Sequence, residues 1–84
     1  MDASDQYPGA AIAISLCEQL QCWDMYLGVA VQEGVEGMRA KMRTAAQEAA
    51  DTMPGERRYL LQEALKQWDH PDFLAYLKMK VGAT

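Results

Sequence analysis

Cys17, Cys22 and His70 are the residues of this 84-residue chain best suited by type to nucleophilic or metal chemistry. A cysteine nucleophile needs an ionised thiol, which takes a nearby cation, a helix N-terminus or a base such as histidine. Cys17 and Cys22 stand in an apolar run with no Lys, Arg or glycine-rich turn beside them, so the expectation is two buried thiols acting as small hydrophobes. On a helix their spacing of five turns them about 140° apart, which rules out an intrahelical disulfide or a shared metal. His70, between Asp69 and Pro71, has the setting of a residue that opens a helix. Glu18 and Asp24 are six apart and therefore about 120° apart on a helix, too divergent for paired carboxylates in acid–base work. The chain has no Gly-x-Gly-x-x-Gly or phosphate loop; Gly28, Gly34 and Gly37 only punctuate it. No catalytic residue, cofactor, metal or small-molecule substrate is expected.

The element that carries most of these residues is the stretch from Pro8 to Val31, in which Glu18 and Asp24 are the only charges. Ile12, Leu16, Leu20, Trp23 and Leu27 recur in steps of 4, 4, 3 and 4, the stripe of a helix over 8–32. Ile14, Met25 and Val29 lie off that stripe, so the helix is apolar around most of its circumference and needs cover on more than one side. Gly34 closes it, and a second helix over 35–52 carries Val35, Met38, Met42, Ala45, Ala46, Ala49 and, just beyond, Met53. Pro54 opens a third helix over 54–68, with Leu61, Leu65 and Trp68 inward. Pro71 opens a fourth over 71–81, with Phe73, Leu74, Leu77 and Val81 inward. The expected fold is all-α: one domain over 1–84, an antiparallel hairpin of helices one and two packed by two shorter helices. Residues 1–7 are expected to fray. Trp23, Leu16, Leu20, Leu27, Leu61, Leu65, Trp68, Phe73 and Leu77 are the expected core.

Half of the residues are hydrophobic and 24% are charged, a composition that folds. The net charge is −4, unevenly spread: residues 1–38 hold six acids and no base, whereas 39–84 hold eight bases and six acids. The two halves are expected to attract one another within the fold or across a symmetric dimer, or else to present an acidic surface to a basic partner. An acidic N-terminus without a basic leader, and a helix one interrupted by Glu18 and Asp24, argue against a signal peptide and a membrane span. A cytoplasmic protein is expected.

A helix-turn-helix from helices three and four is the alternative reading, with Arg39, Lys41, Arg43 or Arg57 and Arg58 on phosphate. Its recognition helix would open on Asp72, Phe73 and Leu74, which offer a DNA groove little. The adaptable Met38, Met42 and Met53 fit an apolar surface that another protein covers. The leading expectation is therefore a non-catalytic interaction module, an adaptor, chaperone or inhibitor of the kind a phage or secretion system uses. Its partner would be another protein or a second copy of itself rather than a membrane, with nucleic acid kept to the alternative reading. Ile14, Met25, Val29, Glu18 and Asp24 are the expected contact residues.

Overall fold

A computed structural model describes residues 3–82, which are helical with no strand among them. The elements are a single turn α1 (Ala3–Gln6), a 3-10 turn (Pro8–Ala10), α2 (Ala11–Glu18), α3 (Trp23–Thr52), α4 (Gly55–Lys66) and α5 (Pro71–Gly82). Of the N-terminus expected to fray, residues 1 and 2 lie outside the described residues, and 3–6 form α1. The four longer helices pack into a body with a radius of gyration of 12.2 Å, close to the roughly 12 Å of a folded chain this long.

The helix expected over 8–32 does not form as one rod. It breaks over 19–22, and α2 and α3 are separate elements. The break closes with local hydrogen bonds: Gln19 N donates to Leu16 O at 3.1 Å and Leu20 N to Cys17 O at 3.0 Å, tightening the last turn of α2. The Trp23 indole Nε1 then donates to the same Cys17 carbonyl at 2.9 Å. At its other end α2 is capped from a distance, where Gln67 Oε1 accepts the N–H groups of Ile12 and Ala13 at 2.9 and 3.0 Å. Both ends of this eight-residue helix are thus satisfied by side chains from elsewhere.

α3 is itself bent. At Gly34 the backbone leaves helical geometry (φ 82°, ψ 172°), which divides the element into a first arm over 23–33 and a second over 35–52. A straight thirty-residue helix would be about 45 Å long, and the longest dimension of the molecule is 35 Å. Met25, Tyr26 and Val29 of the first arm share one surface depression with Lys41, Thr44 and Ala45 of the second. Lys41 Nζ reaches Glu33 Oε2 at 2.9 Å across the bend. A Cβ on Gly37 would come within 2.6 Å of Glu33 Cβ, so the bend uses glycine at both 34 and 37.

The core comes from every helix: Ala13, Ile14 and Cys17 of α2; Tyr26, Met38, Met42, Ala46 and Ala50 of α3; Leu61 and Ala64 of α4; Phe73, Tyr76 and Leu77 of α5; and Trp68 before α5. Trp68 packs on Phe73 with ring centroids 4.5 Å apart, and its Nε1 donates to Arg39 O at 3.0 Å. Each such buried aromatic contributes about 2–3 kcal/mol through lost exposure to water. Of the expected core, Leu61, Trp68, Phe73 and Leu77 are buried, whereas Leu16, Leu20, Trp23, Leu27 and Leu65 are only partly so. For Leu16 the reason is the orientation of α2, whose face of Ala13, Ile14 and Cys17 turns inward, beside buried Ala10, and leaves Ile12 and Leu16 at its edge.

The charge asymmetry is used within the fold. Glu33–Lys41, Glu36–Arg39 and Glu18–Lys80 each join an acid of the first half to a base of the second. Arg43 pairs with Asp69 at 3.1 Å.

Candidate functional site

The cysteines are the first site to test, and the fold separates their environments. Cys17 is fully buried; burial first, then the adjacent Glu18 carboxylate, push its thiol up to about 12, against an opposing pull from Lys80. That is the reverse of what activates a nucleophile. Cys22 stands at the N-cap of α3 and is exposed, a correction to the expectation of two buried thiols that follows from the break over 19–22. His70 Nδ1 accepts the Asp72 N–H at 3.0 Å, which makes it the side-chain cap of α5, and its ring lies against Gly9. Among the described residues no group of three or more His, Cys, Asp and Glu could hold a metal. Nor is any helix there long and apolar enough to cross a membrane.

The N-terminal end of α5, where a recognition helix would read bases, is partly engaged by the chain itself, with His70 and Pro71 exposed. Gly9 N donates to Asp72 Oδ2 at 2.8 Å, and Phe73 is buried. α4 packs chiefly on α2 and α3, and α5 on α3 and the 3-10 turn. This is not the mutual packing of a helix-turn-helix pair.

The expected contact residues are scattered. Ile14 is 0% exposed and belongs to the core, so it cannot meet another chain; the inward turn of α2 that hides it is the physical reason for this correction. Met25 is 58% exposed and Val29 is partly buried beside it, both on the first arm of α3. Glu18 is engaged with Lys80 at 3.5 Å, and Asp24 is exposed in the first turn of α3, where a negative charge favours the helix dipole. The break over 19–22 places Ile14 and Met25 on different helices, so the five residues do not form one surface.

What the fold does bring together is an apolar groove along the second arm of α3. An almost wholly apolar cavity of about 210 Å³ lies over Ala45, Ala46 and Ala49, with Leu16 and Leu20 on one side and Met53 and Leu61 at one end. It shares Tyr26 and Ala45 with the depression beside Met25 and Val29, edged by Lys41, Thr44 and Glu48. It shares Leu16, Met53 and Leu61 with a third depression at Leu60, which is 49% exposed beside Arg57 and Gln19. From Lys41 to Met53 the helical floor runs about 18 Å. No family model matches the chain, and no curated protein or solved structure does either. The lining combines small residues along the floor, aliphatic side chains on the walls and charges at the rim.

The groove was not legible in the sequence because two stripes run side by side along α3. Met38, Met42, Ala46 and Ala50 are buried in steps of four, and Ala45, Ala49 and Met53 form a second row beside them. Its trace there is the width of the stripe, broader than one core contact requires.

Proposed function

We propose that this chain is a non-catalytic protein-binding module whose partner lays a helix in the groove over the second arm of α3. The observation that supports the reading is a row of neighbouring apolar depressions with shared lining residues, from exposed Met25 past Ala45 and Ala49 to exposed Leu60. Apolar surface of this kind, rimmed by polar residues, is the usual mark of a docking site. The buried, protonated Cys17 supports a role without nucleophilic chemistry. The partly engaged N-terminus of α5 weighs against the alternative of a nucleic-acid regulator. An exposed free thiol at Cys22 fits a reducing compartment such as the cytoplasm. In cellular terms such a module acts as an adaptor, a chaperone or an inhibitor.

The test is site-directed photo-crosslinking in the cell of origin. A photoreactive side chain at position 45 or 60 is expected to trap one defined protein. The same group at position 47 or 78, on exposed polar faces, is expected to trap none. Equal trapping at all four positions, or none at 45 and 60, contradicts the reading.

A further inference from the structure

We propose that the occupant of this groove is a second copy of the chain, the second arms of α3 packing antiparallel about a two-fold axis between Thr44 and Ala45. This rests on the protein-binding reading above and names its partner. Lys41, Thr44, Ala45 and Glu48 edge the groove together, on successive turns of one helix face. Reversed end for end, that face complements itself. Lys41 and Glu48 stand equally far from the midpoint between 44 and 45, so a two-fold axis there sets Lys41 of each chain against Glu48 of the other. At the axis the side chains are small, which lets the two backbones approach closely. Met25 and Val29 flank the seam and are covered by the second copy's helix.

The charges already committed within the chain agree with this occupant. Lys41 touches Glu33 at 2.9 Å and keeps 56% of its side chain exposed, so its ammonium can meet a second carboxylate. Glu48 is exposed and makes no ion pair among the described residues, which leaves its carboxylate for a neighbouring molecule. A partner helix of uniform charge would meet repulsion at one end of the face; a reversed copy meets none.

Sedimentation equilibrium of the full chain tests the proposal. The unmodified protein is expected to dimerise in the micromolar range. Lys41→Glu or Glu48→Lys turns two symmetric attractions into two repulsions and weakens dimerisation by roughly tenfold or more. The combined Lys41→Glu/Glu48→Lys chain regains much of the loss, and Ala45→Arg, a change at an exposed position, leaves a folded monomer. The proposal is overturned by an unmodified chain that stays monomeric, by single variants that dimerise like it, or by a double variant no tighter than the weaker single. A monomer that is nevertheless trapped by a different protein from positions 45 and 60 overturns self-association alone. A monomer trapped by nothing removes the protein-binding reading as well.

Discussion

Cys17 and Gly9 show how single residues are fixed by their surroundings. The Cys17 thiol is held neutral by burial, with its pKa moved from 9.0 to about 12. A neutral buried thiol stabilises the fold fully below the unfolded-state pKa, and that contribution is lost as pH rises through the folded-state value, because only the unfolded chain gains the ionised form early. Stability against urea is therefore expected to fall as pH climbs from 9.0 towards 12. Cys17→Ala is expected to start lower at neutral pH but decline less steeply; parallel curves for the two proteins would contradict the assignment. At Gly9 an added Cβ would overlap the His70 imidazole, whose Nδ1 caps α5. Gly9→Ala is expected to expel the ring and cost about 0.5–2 kcal/mol, the worth of an N-cap. In a His70→Ala background the same change is expected to be nearly neutral, and a double-mutant cycle measures the coupling. The contact of Gly9 with His70 is not visible in the chain order, since 60 residues lie between them.

Among the elements, the all-helical class was legible from apolar residues in steps of three and four. Pro54 and Pro71 also stand where α4 and α5 start. The break over 19–22 was not, because Gln19, Leu20, Gln21 and Cys22 include no proline or glycine. It is closed by the Trp23 indole on the Cys17 carbonyl, and Trp23 is held in turn by an edge contact to Tyr76 and by Lys80, 5.6 Å from its ring centroid. Those contacts exist only once α5 is in place, so periodicity alone carries the helix straight through. The orientation of α2 was hidden for a related reason: its faces are both apolar, and periodicity does not choose between the one bearing Ala13, Ile14 and Cys17 and the one bearing Ile12 and Leu16. Gly34 is the opposite case, a visible residue whose role the backbone explains. Its φ of 82° with ψ of 172° lies in a region that only glycine occupies readily, so Gly34→Ala is expected to cost about 1–3 kcal/mol. Chemical denaturation measures it, and an unchanged midpoint would mean that the arms meet in some other geometry.

For the whole molecule, the uneven charge and the over-apolar N-terminal half resolve into two uses. Three ion pairs tie the acidic half to the basic half within the chain, and part of the surplus apolar surface lies along α3, while Val31, Tyr59 and Met79 are exposed elsewhere. That the surplus existed was legible in composition; that part of it lies over Ala45 and Ala49 rather than around Ile14 depends on how α2 turns and where α3 bends. Small helical chains of this size gain stability by covering such surface with another chain. The most direct test mixes the two charge-reversal variants in equal amounts. Alone, Lys41→Glu presents two acids on its face and Glu48→Lys two bases, so each is expected to sediment as a monomer. Together each supplies what the other lacks, and the mixture is expected to form a dimer containing one chain of each kind. Two unassociated monomers in that mixture would contradict the account.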